Sequence, residues 1–254
     1  MKQPNFRLDN QTVVITGASK GIGRGIATIL AKAGATTILC SRNLKMLTEV
    51  EEEIKNDKGK AHSFQMDVAS VESINHTFKQ ISDRFHKIDV LINNAGLGCN
   101  HSALDVTESD WDEMMNVNLK GLFFCSKEAA KSMIKNNYGR IINLSSQASL
   151  VGIKDHSVYC ASKGGVNLLT KVLALEWANK GITVNAIAPT FTYTSGTAER
   201  LDDAKYLKNV LDRIPVGKVA GIDDIASAIL YLTSSSSSMV TGSILTIDGG
   251  WTAQ

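Results

Sequence analysis

Seven short apolar runs, each separated from the next by a longer stretch of mostly helical period, constrain this chain more than any other feature. They are TVVITG (12–17), TTILCS (36–41), SFQMDV (63–68), DVLINNAG (89–96), RIINLSS (140–146), ITVNAIAP (182–189) and SILTIDGG (243–250). Most are continuously apolar, the pattern of strands covered on both faces. Between them, IGRGIATILAKAG (22–34) and LKMLTEVEEEIKNDKG (44–59) carry helical spacing and stop at a glycine, a common helix C-cap. The stretches 71–85, 109–137 and 158–180 follow the same period. Parallel strands need a long crossover between them, usually a helix. The alternation therefore predicts a parallel sheet with helices on both faces. No repeat, linker or composition break divides the 254 residues, so a single domain over 1–254 is expected. The serine run 234–238, between ILYL and MVTG, reads as a helix end and turn.

Within 109–137, Trp111, Met114, Met115, Val117, Leu119, Leu122, Phe123 and Phe124 leave little of the helix polar. A helix apolar nearly all round is buried on more than one side. A subunit interface and a deep core position both fit. Basic residues are scattered and the net charge is only +2, which gives no electrostatic footprint for nucleic acid. The start, MKQPNFRLDNQ, lacks the apolar core of a secretory signal. No run of about 18 apolar residues is available to span a membrane. The four cysteines, Cys40, Cys99, Cys125 and Cys160, form no C-x-x-C pair, and the five histidines are dispersed without metal-ligand spacing. Reduced thiols in a soluble cytoplasmic protein, with no metal, are the expectation.

The first strand runs into TGASKGIGRGIA (16–27), with Gly17, Gly21 and Gly23 between a strand and a helix starting near Ile22. Without side chains in the way, backbone N–H groups and the helix N-terminus approach a pyrophosphate closely, and the helix dipole favours the anion. Ser19 and Lys20 lie inside that turn. At the end of the second strand a free ribose 2′-hydroxyl would call for an acidic acceptor. The chain has Ser41-Arg42-Asn43 there instead. Arg42 presents a planar donor fork suited to phosphate, and Lys20 adds a second positive charge. The expected cofactor is NADP(H).

These features together resemble the short-chain dehydrogenase/reductase family, in its single-domain branch of about 250 residues, over essentially the whole chain. TGASKGIG resembles the family's cofactor turn, Asn93-Asn94-Ala95-Gly96 its NNAG strand end and Tyr159-Cys160-Ala161-Ser162-Lys163 its Y-x-x-x-K. Asp67-Val68 resembles the adenine-contacting pair, and Thr246–Gly250 the closing strand ending in DGG. The resemblance implies a Rossmann-type doubly wound parallel sheet, a small carbonyl or alcohol substrate and a homotetramer. It implies that Tyr159 passes a proton to the carbonyl oxygen while hydride moves from the nicotinamide. A phenol of pKa about 10 is a poor donor near neutrality, and an ammonium one helical turn away is expected to lower it. Lys163 would also bond the nicotinamide ribose. Ser146, thirteen residues before Tyr159, matches the serine that holds the substrate oxygen, with Ser145 as its rival. Asn118 matches the asparagine that kinks a helix and relays protons to the lysine. Asn94, Ala95 and Gly96 line the nicotinamide side, as do Pro189, Thr192 and Thr194. Thr190 departs from the pattern, because the family usually has glycine after the proline.

Residues 192–213 are expected to form a lid. Gln147 and His156 are expected to line the substrate pocket, although each is also an ordinary surface residue. Their polarity suits a keto-sugar, polyol or keto acid. Two alternatives compete: a 3-oxoacyl-(acyl-carrier-protein) reductase, and a non-catalytic NADPH-sensing protein. Carrier reductases tend to have a basic residue just before the Gly-Arg that opens the fifth strand. This chain has Asn136-Asn137-Tyr138 there, while Lys180 retains a charge at a second likely contact.

Overall fold

The computed structural model describes residues 5–98 and 100–253. Its strands are β1 (Thr12–Thr16), β2 (Thr36–Ser41), β3 (Lys60–Gln65), β4 (Val90–Asn93), β5 (Gly139–Leu144), β6 (Ile182–Pro189) and β7 (Ile244–Ile247). They form one sheet in the order β3-β2-β1-β4-β5-β6-β7, parallel throughout. The helices are α1 (Gly21–Lys32), α2 (Leu44–Asn56), α3 (Val71–Phe85), α4 (Glu108–Met115), α5 (Leu122–Lys135), α6 (Ser157–Trp177), α7 (Ala198–Leu201), α8 (Ala204–Leu211) and α9 (Ile222–Thr233).

Two apolar layers sandwich the sheet, as the doubly wound expectation requires. On one face Ile26 and Leu30 of α1, Leu47 and Val50 of α2, and Ile225 and Ile229 of α9 pack on Val13, Ile15 and Ile187. On the other, Ile74 and Phe78 of α3, Cys125 and Ala129 of α5, and Leu173 of α6 pack on Val14, Leu91, Ile141 and Val184. After β3 the chain crosses back to lay β4 on the free side of β1. That reversal opens a crevice at the carboxyl ends of the strands, where ligands of such sheets bind.

The third strand and the 109–137 helix differ from the sequence reading. The third strand begins and ends three residues earlier than 63–68. It is an edge strand pairing only with β2, from Thr36↔Lys60 onward, so half of it is solvated and its start need not be apolar. The chain then leaves the sheet at Asp67, whose carboxylate accepts from Ala69 N at 2.9 Å. The 109–137 helix is broken: a wide π-turn, Asn116–Gly121, separates α4 from α5. Such turns concentrate at functional positions. Gly121 permits this one, because a Cβ there would lie 2.3 Å from Val68 O. The expected lid contains α7 and α8. The serine run is indeed a helix end and turn, Ser235–Ser237 following α9.

Candidate active site

The phosphate end is assembled where β1 meets β4. The side-chain amide of Asn94 donates to the carbonyls of Thr16 (3.0 Å) and Gly17 (3.1 Å). The Thr16 hydroxyl accepts from the N–H groups of Asn94 (3.0 Å) and Ala95 (2.9 Å). Four short bonds therefore staple the two strand ends together at the crevice. Gly17 and Gly21 take φ of +66° and +56°, left-handed values that a side chain disfavours. A Cβ on Gly23 would sit 2.3 Å from Gly17 O. Lys20 is the N-cap of α1 and makes no side-chain cap bond, so no side chain blocks the first N–H groups of that helix. Ser19 is buried within the turn, and Ile22 lines the cleft beyond it. This cradle fits a diphosphate.

At the adenosine end Arg42 is exposed and forms no ion pair with any described residue. Its carbonyl accepts from Gln65 Nε2 at 2.9 Å, which fixes the backbone and leaves the guanidinium free to reach outward. Asn43 is partly committed: its Oδ1 caps α2 by accepting from Met46 N at 3.1 Å. The Ser41 hydroxyl donates weakly to Asn43 O at 3.4 Å. Asp67 and Val68 follow β3, and Val68 O abuts Gly121, joining the adenine-side loop to the π-turn.

That π-turn carries Asn118 into the interior. Its Oδ1 accepts from Leu97 N and its Nδ2 donates to Leu97 O, both at 2.9 Å. Nδ2 also donates to Ser162 Oγ at 3.1 Å, and Ser162 in turn donates to Tyr159 O at 2.8 Å. Asn118 is thus locked onto the helix that bears Tyr159 and Lys163. A Cβ on Gly96 would meet Asn118 Oδ1 at 3.3 Å and Lys163 Nζ at 3.6 Å, so glycine keeps the approach between them open. Leu97, Ser162 and Thr16 escaped the sequence reading, because a main-chain partner or a buried hydroxyl has no motif of its own.

Tyr159 and Lys163 do share a face of α6, with Nζ 5.8 Å from the ring centroid. Lys163 is buried and donates to Leu144 O at 2.6 Å. The loss of hydration pulls its ammonium down to about 8. Burial pushes the Tyr159 phenol above its ordinary value, while the hydrogen bond with Ser146 pulls it partly back. The expected net lowering of the phenol by Lys163 is therefore not what this geometry produces: burial raises it, and the Lys163 Nζ is turned to the Leu144 carbonyl.

The structure separates the two serines. Ser145 Oγ donates to Asn167 Oδ1 at 2.7 Å and is absorbed into the packing of α6. Ser146 Oγ accepts from Ala148 N at 3.2 Å and donates to Gln147 Oε1 at 3.3 Å, and it lines the cleft beside Tyr159. A cleft of about 870 Å³ runs past these groups, lined among others by Lys20, Asn94, Ser146, Gln147, Tyr159 and Lys163. His156 also lines it, its ring 6.4 Å from that of Tyr159. Its Nδ1 bonds Lys154 O at 2.6 Å and so carries the proton. Pro189, Thr192 and Thr194 line the cleft as well. Thr192 and Thr194 are held by Thr197, whose hydroxyl donates to Thr192 O at 2.6 Å and accepts from Thr194 N at 2.9 Å. Arg200 of α7 also lines the cleft, a contribution the sequence did not signal.

Comparison with known proteins agrees with this fold. Residues 17–252 match the family model described as enoyl-(acyl carrier protein) reductase. The chain belongs to the short-chain dehydrogenase/reductase family. It is 39% identical over 97% of its length, and 96% of the relative's, to a 2-dehydro-3-deoxy-D-gluconate 5-dehydrogenase of Bacillus subtilis. It is 36% identical to a 3-oxoacyl-(acyl-carrier-protein) reductase of Aquifex aeolicus, over 96% of this chain and 98% of that one. The crystal structure of a gluconate 5-dehydrogenase from Burkholderia cenocepacia, in complex with NADP and tartrate, superposes with a TM-score of 0.95 at 32% identity. That match covers 99% of this chain and 98% of the other. Among the described residues no helix is long and apolar enough to cross a membrane.

Proposed function

We propose that residues 1–254 form one NADP(H)-dependent oxidoreductase unit that interconverts a carbonyl and a secondary alcohol on a small polar substrate. The observation that carries this reading is that Ser146, Tyr159 and Lys163 line one cleft with Lys20 and Ile22 of the glycine turn, while Asn118 is bonded behind them to Leu97 and Ser162. Gly17, Gly21 and Gly23 would hold the diphosphate, Lys20 and Arg42 the 2′-phosphate, and Asp67 and Val68 the adenine. When bound, NADPH supplies the hydride. Ser146 holds the substrate oxygen by its hydroxyl, and Tyr159 gives that oxygen its proton. Lys163 holds the nicotinamide ribose and, with Asn118 across the Gly96 opening, restores the proton. Pro189, Thr192 and Thr194 flank the nicotinamide, while Gln147 and His156 face the substrate.

A keto-sugar, polyol or keto acid is the favoured substrate class, supported by Gln147 and His156 in the cleft lining and by the sugar-acid enzymes among the relatives. The second reading, a 3-oxoacyl-(acyl-carrier-protein) reductase, draws support from the Aquifex relative. The residues weighed for carrier contact do not decide the matter within one chain. Asn136-Asn137-Tyr138 and Lys180 precede β5 and β6, whereas the cleft lies at the other end of those strands. Six residues of strand separate the two ends, about 20 Å. The catalytic set counts against an idle NADPH sensor. We further propose a cytoplasmic homotetramer. Cys40, Cys125 and Cys160 are free thiols, and Cys99 lies outside the described residues. Leu168, Val172 and Leu175 leave an apolar stripe exposed along α6.

The test is NADPH consumption, followed by absorbance, against keto-sugars, diketones and a 3-oxoacyl thioester. Turnover of a keto-sugar or diketone with little on the thioester supports the reading. Preferential turnover of the thioester installs the carrier reductase, and tight NADPH binding with no turnover of any substrate installs the sensor.

A further inference from the structure

His156 meets the cleft with one ring nitrogen taken and the other free. Its Nδ1 lies 2.6 Å from Lys154 O, and a carbonyl accepts but cannot donate, so Nδ1 carries the ring proton. In the neutral imidazole Nε2 is then an acceptor only. Nε2 bonds no described residue and is not buried, so a small molecule in the cleft can reach it.

The ring is fixed before a ligand arrives. Asp155 takes φ of +62°, a left-handed value, where the loop turns into α6. The backbone of His156 pairs with that of His101 in an isolated parallel bridge, and its carbonyl accepts from Cys160 N at 2.8 Å. The imidazole stands edge to face with Tyr159, ring centroids 6.4 Å apart and planes at 71°. Two rings this close, both lining the cleft, can contact the same small substrate.

Gln147 offers the opposite polarity. Its Oε1 accepts from Ser146 Oγ at 3.3 Å, and its side-chain NH2, which bonds no described residue, is not buried. An acceptor from His156 and a donor from Gln147 in one cleft suit a hydroxyl, which both donates and accepts. A second carbonyl or an ether oxygen only accepts, and it leaves Nε2 without a partner once water is displaced.

We infer that His156 is a specificity-determining residue whose Nε2 accepts a hydrogen bond from a hydroxyl on the carbon beside the reacting carbonyl. The inference rests on the carbonyl–alcohol reading above and narrows it to hydroxyketones. A site built to bond a substrate hydroxyl rejects an analogue that lacks it, because its own polar group is then left unpaired.

The experiment compares wild type with His156→Phe and His156→Gln on hydroxyacetone, butan-2-one and methoxyacetone. Butan-2-one replaces the hydroxyl by a methyl group of similar size, and methoxyacetone keeps the oxygen without its proton. Wild type is expected to prefer hydroxyacetone to both by about tenfold in kcat/KM. His156→Phe keeps a ring beside Tyr159 and removes the acceptor, so that preference should be lost, chiefly through KM for hydroxyacetone. His156→Gln, whose Oε1 reaches about as far as Nε2, should recover much of it. If phenylalanine disturbs the start of α6, His156→Ala removes the same acceptor and should lose the same preference. NADPH affinity, titrated separately by fluorescence, should be unchanged in all variants. Equal losses on the three ketones would make His156 only a support for Tyr159 and overturn the inference. Weakened NADPH binding with unchanged preference, or a wild type that does not favour hydroxyacetone or reduces none of the three, would overturn it as well. The underlying reading falls too only if the wild type binds NADPH and also fails on every keto-sugar.

Discussion

The ammonium of Lys163 donates to the carbonyl of Leu144 at 2.6 Å, so its charge is held at the end of β5 by a neutral partner in a buried site. Nothing there repays its lost hydration in full, and burial brings it down to about 8 from 10.5. Because the folded value lies below the unfolded one, the folded protein resists protonation. The penalty is complete below about pH 8 and fades as pH rises toward 10.5. It is on the order of 3 kcal/mol, less whatever relaxation recovers. Lys163→Met, which removes the charge, is expected to melt above wild type at pH 7, with the gap closing toward pH 10. Melting curves across that range check it, and a gap that widened with pH would contradict the assignment.

Tyr159→Phe keeps the ring and removes the transferable proton. NADPH binding should stay near wild type while turnover falls roughly 10²–10⁴-fold. Retention of more than about a tenth of activity across pH 6–9 would show that another group is the proton donor.

Arg42 should make NADPH bind more tightly than NADH. A hydrogen bond to a charged group contributes about 1.5–3 kcal/mol, and each 1.4 kcal/mol is about tenfold, so roughly 10- to 100-fold discrimination is expected. Solvent exposure of Arg42 pulls this toward the lower figure. Ser41→Asp with Arg42→Ala should reverse the preference, since a carboxylate accepts from a ribose hydroxyl and repels a phosphate. Titration of both cofactors against both proteins decides it; NADH binding as tightly as NADPH to wild type would refute the placement.

Gly121→Ala drives a Cβ to within 2.3 Å of Val68 O, where a backbone must yield. The expected cost is about 1–3 kcal/mol of stability. Because the same π-turn carries Asn118, activity should fall further than the melting temperature alone accounts for. A variant with wild-type stability and activity would show that the turn tolerates an α-helical rewinding.

Light scattering at micromolar concentration should give a particle of about four times the 27.4 kDa chain mass. Leu168→Glu with Leu175→Glu, on the exposed stripe of α6, should reduce it. A monomeric wild type would remove the assembly from the proposal.

Sequence alone determined what depends on local spacing. Strand and helix alternation follows from the period of side-chain burial. The glycine turn follows from the close backbone approach a phosphate demands, and the Tyr159–Lys163 pairing from the rise of a helix. All three are legible in neighbouring residues. Spacing from Tyr159 favoured Ser146 over Ser145, but that Ser145 Oγ is taken up by Asn167 Oδ1 is visible only in the packing. The early start of β3 followed from its place at the sheet edge, which no single strand announces. The π-turn depended on Gly121 meeting Val68, some fifty residues away in the chain. The phenol of Tyr159 moved upward, against the local argument from Lys163, because desolvation sums over every element packed around a group. That sum is set by the tertiary fold and not by the spacing of two residues on one helix.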